Sequence, residues 1–231
     1  MPPKQTKGEY IETDTGNKVS RKSVILGSQN IILGGKTIIQ ADCTIRGDLR
    51  RTVAPSQQSG NVAIAVGRYC FLSRSSVLRP PGRTHQKPVP TYVSPRPPVV
   101  QGADQPLLCR TFSYCPMKIG DHVFVGEGSV VEAALIGSYV HIAKDCVIGK
   151  FAIIKDCVRI EEGTVIAPNT VIPSFSLVSG RPGVVTDELP ETAQEGLECR
   201  LPNYLIYNII YMIAGVQTLT IGVVKNIYRM I

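Results

Sequence analysis

The sequence has no tryptophan, only 6% aromatic residues and only three histidines. A core with so few rings must be filled by Ile, Val, Leu and Ala. That composition suits thin, repetitive layers better than one large globular centre. None of the seven cysteines forms a C-x-x-C pair, and the closest two, Cys109 and Cys115, are six positions apart. There is no apolar N-terminal signal segment, so the thiols are read as reduced and cytosolic. No P-loop, G-x-S-x-G or H-E-x-x-H is present. The net charge is +7, which favours acidic partners. Yet the basic residues are scattered, with Arg21-Lys22 and Arg50-Arg51 the only tight pairs. Without a basic run interleaved with aromatics, nucleic acid is not an expected ligand.

What the sequence does have is a period of six. Ile136, Ile142, Ile148, Ile154, Ile160, Ile166 and Ile172 are all isoleucine. Ile119, Val125 and Val131 keep the step upstream, with one residue dropped before Ile136. Val66, Leu72 and Leu78 keep it too, and Leu26, Ile32 and Ile38 are assigned to it. A second position, four residues after the anchor, is small or β-branched: Val140, Cys146, Ala152, Val158, Thr164, Thr170. The residue after the anchor is often Gly or Ala, since it must be small, or able to adopt an unusual backbone angle, for the chain to turn.

A period of six matches no α-helical face, where apolar residues recur at three and four. It matches a short strand followed by a tight corner, with β-branched residues packing in the strand. Three hexads close one triangular coil, and successive coils stack strand on parallel strand as a solenoid. The predicted fold is all-β, a single-stranded parallel β-helix of roughly five to six coils. Parallel crossovers are generally right-handed, but the hexapeptide-repeat family that this pattern resembles winds left-handed, and that hand is expected by resemblance.

The expected organisation is a frayed N-terminus at 1–8 and the β-helix at 9–183, with loops at about 50–61 and 79–116. A linker and the start of a cap follow at 184–200, then an apolar tail at 201–231. Seven prolines between Pro80 and Pro98 predict that the second insertion is an extruded loop without a ladder, since proline lacks the donor. The open end of the solenoid calls for a helical or polar cap after Pro190. Residues 204–224 are almost all apolar and long enough to span a membrane, though Asn208, Gln217, Thr218 and Thr220 dilute them. Three readings stay open for that tail: a membrane anchor, a helix packed on the β-helix, or a gene-model artefact.

Hexapeptide β-helices host acyl transfer and zinc hydration, and both chemistries lean on histidine. His85 falls in the Pro-rich loop. His122 and His141 fall at different hexad positions and share no register. Glu161-Glu162 and Asp187-Glu188 read as solvated corners. Ile45-Arg46-Gly47-Asp48 with Val66-Gly67, and Ile119-Gly120-Asp121-His122-Val123-Phe124-Val125, resemble the γ-class carbonic anhydrases. That resemblance places Arg79, Glu127 and Glu132 at the three positions where the family has zinc-ligating histidines. An arginine and two glutamates are not a three-histidine site. No metal, cofactor or catalytic residue is expected.

A second resemblance covers most of residues 9–195. Glu9-Tyr10-Ile11-Glu12-Thr13, Thr15-Gly16-Asn17-Lys18-Val19-Ser20-Arg21 and Gly27-Ser28-Gln29-Asn30-Ile31 are similar to the dynactin subunit 5 family. So are Ser76-Val77-Leu78-Arg79-Pro80-Pro81, Ile136-Gly137-Ser138-Tyr139-Val140-His141 and Ser179-Gly180-Arg181-Pro182-Gly183. The resemblance implies a non-catalytic adapter at the pointed end of dynactin, the complex that couples cytoplasmic dynein to cargo on microtubules. It implies a second β-helix subunit, an actin-related protein, a larger zinc-binding subunit and dynein cargo adaptors as partners. It implies a place in the cytoplasm on the cytoskeleton. The loop at 79–116 exceeds the family pattern, and the chain leaves that pattern near Cys199. Membrane contact would come only through the tail. The rival expectation is an enzyme of the carbonic anhydrase or hexapeptide acyltransferase type.

Overall fold

A computed structural model describes residues 9–49, 62–88 and 108–190 of the chain. The strands in order are β1 (Tyr10–Glu12), β2 (Lys18–Ser20), β3 (Val24–Leu26), β4 (Ile31–Leu33), β5 (Ile38–Ile39) and β6 (Thr44–Arg46). Then come β7 (Ile64–Val66), β8 (Phe71–Leu72), β9 (Val77–Leu78), β10 (Gly82–Pro88) and β11 (Leu108–Tyr114). Next are β12 (Met117–Ile119), β13 (Phe124–Val125), β14 (Val130–Val131), β15 (Leu135–Ile136), β16 (His141–Ile142) and β17 (Val147–Ile148). The last are β18 (Ile153–Ile154), β19 (Arg159–Ile160), β20 (Val165–Ile166), β21 (Val171–Ile172), β22 (Ser176–Ser179) and β23 (Val184–Glu188). One 3-10 turn, Ser28–Asn30, stands between β3 and β4.

Three sheets form the faces of a left-handed parallel β-helix. Sheet A runs β1-β2-β5-β8-β13-β16-β19-β22-β23, sheet B runs β3-β6-β9-β14-β17-β20 from N to C end, and sheet C runs β4-β7-β12-β15-β18-β21. All neighbours pair in parallel except the outermost strands of sheet A, β1 on β2 and β23 on β22, which are antiparallel. Each hexad anchor lies directly beneath its counterpart, as in Leu72–Val125–Ile142–Ile160 on sheet A. Ile136, Ile142, Ile148, Ile154 and Ile160 have no exposed surface. Ile119, Val125, Val131, Ile166 and Ile172 are at most 2% exposed. Burying each such side chain is worth about 1.5–3 kcal/mol. The second apolar position also points inward: Val140, Cys146, Ala152, Val158 and Thr164 are buried.

Two expectations are corrected, the register of the first coils and the absence of a ladder in the Pro-rich insertion. In the first coils the inward register is one residue earlier or later than assigned. Leu26 and Ile32 are 41% and 54% exposed, whereas Ile25 and Leu33 pack against the core. Ile38 faces outward and its neighbour Ile39 is the buried anchor. These strands are apolar at every position, so alternation could not fix which side chain points in, and a slip of one residue reverses the face.

Of the two reasons expected for glycine after an anchor, small size is the one that applies. Gly34, Gly67, Gly120 and Gly137 follow anchors on sheet C, where a Cβ would collide with the next coil; at Gly120 it would lie 2.6 Å from the Gly137 carbonyl carbon. The positive φ falls two residues later and is carried mostly by other residues: Lys36, Tyr69, His122, Tyr139, Cys157 and Phe175 at one corner, Asp42, Ser75 and Asp145 at the next, Phe151 and Asn169 at the third.

The Pro-rich insertion does hold a ladder at its base. β10 pairs antiparallel with β11 from Gly82↔Tyr114 to Pro88↔Leu108. The prolines that break a ladder fall mostly after residue 88, and a two-stranded ribbon tolerates proline at its edge. The ribbon lies along the corner between sheets B and C. There Arg83 donates to Asn169 Oδ1 at 3.2 Å and stacks over the Phe151 ring.

The helical or polar cap expected after Pro190 lies outside the described residues. β23 folds back on β22, and Gly183 donates to the Val165 carbonyl. The expected frayed terminus at 1–8, the loop at 50–61 and the tail at 201–231 lie outside the described residues.

Candidate functional site

Arg79 follows the sheet B anchor Leu78, and Glu132 follows the anchor Val131 one coil on. Their strands β9 and β14 pair directly, so the two side chains share one corner and form an ion pair. Glu132 is the more buried partner. The five-residue step from Val131 to Ile136 tightens that corner, and Ala133 takes the inward place with no exposed surface. Glu127 follows the sheet A anchor Val125, at a different corner, and is exposed. The three positions aligned with zinc ligands are therefore not one cluster. Among the described residues no group of three His, Cys, Asp or Glu is placed to hold a metal ion.

Arg46 occupies the same corner column one coil before Arg79. Its guanidinium makes two 2.8 Å hydrogen bonds to Asp48. Those bonds hold the Asp48 carboxyl below the usual carboxylate range. The Arg46-Gly47-Asp48 corner is thus self-paired.

The remaining polar corner residues tie coil to coil. Asp121 Oδ1 accepts the Arg68 amide at 2.7 Å, and Asp156 Oδ1 accepts the Ser138 amide at 2.7 Å. Each satisfies a backbone donor that the tight turn leaves without a ladder partner. His122 is stacked between Tyr69 and Tyr139, with centroids 4.9 Å away on either side. His141 stacks on Phe124 at 4.8 Å in a separate column. His85 lies on β10. The two described imidazoles serve as rungs of aromatic ladders.

Sheet A carries the feature that the repeat pattern did not reveal. Phe71 and Phe124 point away from the core, since Leu72 and Val125 beside them point in. Nevertheless they are 3% and 9% exposed and stack at 5.4 Å. Beside them is a cleft of about 420 Å³ whose rim carries Glu127, Lys144 and Glu162. Lys144 and Glu162 pair at 3.1 Å. The signal available in the sequence was the aromatic residue before the anchor in β8 and β13.

Four of the described thiols, Cys43, Cys70, Cys146 and Cys157, are not poised for nucleophilic work. Burial pushes Cys43 up to about 11 and Cys70 up to about 12, and raises Cys146 and Cys157 as well. These sulfurs stay protonated at neutral pH and pack as small hydrophobes.

The chain matches the family described as Dynactin subunit 5 over residues 4–96 and 93–205. It is 37% identical over 189 residues to a protein named Dynactin subunit 5 from Dictyostelium discoideum, covering 82% of this chain and 78% of that one. Among solved structures it is similar to a hexapeptide transferase family protein from Anaplasma phagocytophilum. That likeness has 16% identity and a TM-score of 0.48, over 84% of this chain and 92% of the other. Another similar structure is AntD, an N-acyltransferase from Bacillus cereus, at 12% identity and a TM-score of 0.43, over 83% and 89% of the two chains.

Proposed function

We propose, starting from the membership of this chain in the dynactin subunit 5 family, that it is a non-catalytic structural subunit of dynactin. Its place is at the pointed end of the complex, beside a second β-helix subunit, an actin-related protein and a larger zinc-binding subunit. There it supports dynein-driven transport along microtubules in the cytoplasm and offers docking surface to cargo adaptors. A rigid solenoid suits such work, because its stacked coils present extended flat faces.

The observation that carries the non-catalytic reading is the Arg79–Glu132 ion pair. A guanidinium at one ligand position repels a divalent cation and engages the carboxylate that stands at a second. Conversion of a hydratase-like corner into an ion pair removes the Lewis acid such chemistry needs.

The test is purification of the protein from native extract, full length and in a version ending at Glu198, with mass spectrometry of what accompanies it. Recovery of dynactin components with both versions supports the proposal. A free protein carrying stoichiometric zinc would overturn it in favour of the carbonic anhydrase reading. A free protein with acyl-donor turnover would favour the acyltransferase.

A further inference from the structure

Part of the outward face of sheet A is buried, although no described strand lies over it. Ile39, Leu72 and Val125 point into the coil, so Ile38, Gln40, Phe71, Ser73 and Phe124 point away from it. All five are nonetheless at most 9% exposed. Ile38, Phe71 and Phe124 form an apolar cluster of their own, separate from the core. Ladder neighbours alone do not give such burial. Val147 on sheet B also points outward, with Val130 and Val165 on either side of it, yet it is 42% exposed. The main contacts among the described strands run between ladder partners, and none of them crosses the face of sheet A.

Four segments of the chain lie outside the described residues, and three of them suit this face poorly. Residues 1–8, MPPKQTKG, are polar apart from Met1 and two prolines. Residues 50–61 connect β6 of sheet B to β7 of sheet C, and residues 89–107 extend the ribbon between β9 and β12. Both leave from the corner opposite sheet A, where Arg83 holds the base of the ribbon. The fourth segment, 191–231, follows β23, which is itself the last strand of sheet A. β5 lies six ladder steps from β23, about 29 Å at about 4.8 Å per step. Residues 191–203 reach up to about 43 Å when extended, so the apolar stretch that follows them can come to lie over β5, β8 and β13.

We infer that the apolar stretch 204–224 of this chain docks on the outward face of sheet A, over Ile38, Phe71 and Phe124, and does not anchor the protein in a membrane. The two surfaces match in kind. The bed sets apolar side chains beside Gln40 and Ser73, and the stretch sets Ile, Leu and Tyr beside Asn208, Gln217 and Thr218. A bilayer core would leave those amides and that hydroxyl without partners, whereas a mixed protein surface can satisfy them. The family match ends at residue 205, so this occupant belongs to this chain and not to the family pattern. The inference is independent of the dynactin reading.

The experiment places a photo-crosslinking side chain at position 127 of the full-length protein, because Glu127 is exposed on the rim of the cleft beside Phe124. At low protein concentration the expected product is a crosslink within one chain, to a peptide from 204–224. The same side chain at position 171 on sheet C, where Val171 is 58% exposed, is expected to give no such product. Phe124→Asp is expected to lower the yield from position 127 about tenfold or more, the effect of losing a central apolar contact. Position 127 is an exposed rim site, so the first arm stands even if Phe124→Asp fails to fold.

Flotation with vesicles of phosphatidylcholine and phosphatidylserine tests the other reading of the stretch. The unaltered full-length chain is expected to stay unbound. Flotation of that chain with the vesicles overturns the inference. So does a crosslink from position 127 to residues 50–61, to residues 89–107 or to a second copy, and so does the lack of any product with 204–224. An undiminished yield in folded Phe124→Asp overturns it as well.

Discussion

Arg79 and Glu132, 53 positions apart in sequence, meet at one corner of adjacent coils as an ion pair, and the carboxylate is the more buried of the two. The pair is therefore asymmetric. Removing the guanidinium leaves a carboxylate with little water and no partner, at a cost of about 1–3 kcal/mol. Neutralising the carboxylate leaves an arginine that can reach solvent. Arg79→Ala is expected to lower the urea midpoint clearly more than Glu132→Gln. Equal effects would mean that the pair is merely a surface contact.

Corner positions make opposite demands in the same repeat. Gly126 has no room for a Cβ, because the Ala143 carbonyl of the next coil stands against it. Ser75 has room but holds a φ of 54°, a conformation that disfavours any Cβ. Gly126→Ala is expected to destabilise by about 1–3 kcal/mol through overpacking. Ser75→Gly relieves strain and is expected to be neutral or stabilising by up to about 1 kcal/mol. Thermal unfolding of the two variants checks both signs, and the reverse order would contradict the assignment of which glycines are steric.

Buried thiols make stability depend on alkaline pH. Cys43 and Cys70 ionise near 11 and 12 in the fold, against an ordinary value of 9.0. Their folded values are raised, so below about pH 9 both states hold the proton and the contribution is whole. It is lost as pH rises from the unfolded value through the folded ones, at about 1.4 kcal/mol per pH unit for each thiol. Urea titrations from pH 8 to pH 10.5 are expected to show the fall in the wild type. The slope is expected to be shallower in Cys43→Ala/Cys70→Ala, and identical slopes would remove the thiols as its cause.

Arg83 holds the ribbon of β10 and β11 to the solenoid through Asn169 and Phe151. Arg83→Ala is expected to speed amide exchange in β10 and β11 while leaving the coils protected. Faster exchange throughout the coils would show instead that the ribbon supports the whole fold.

The coil was legible in the periodicity of the chain. Seven isoleucines from Ile136 to Ile172 in one register, with Val140, Cys146, Ala152, Val158 and Thr164 as the second inward set, leave one way to bury both positions. Period-six patterning is a local property, and a solenoid is built from contacts between neighbouring turns. The same local reading failed at Ile25, Leu33 and Ile39, where strands apolar on both faces carry no alternation to read.

Features that depend on the neighbouring coil were not legible in the periodicity. Whether Gly120 is small for space or for angle depends on how near Gly137 comes. That Arg79 finds Glu132 and not Glu127 depends on β9 pairing with β14 and not with β13. That Phe71 and Phe124 are buried on an outward face is a matter of what lies beside a strand in space. A repeat encodes the contact of each coil with the next and is silent about where the stack ends.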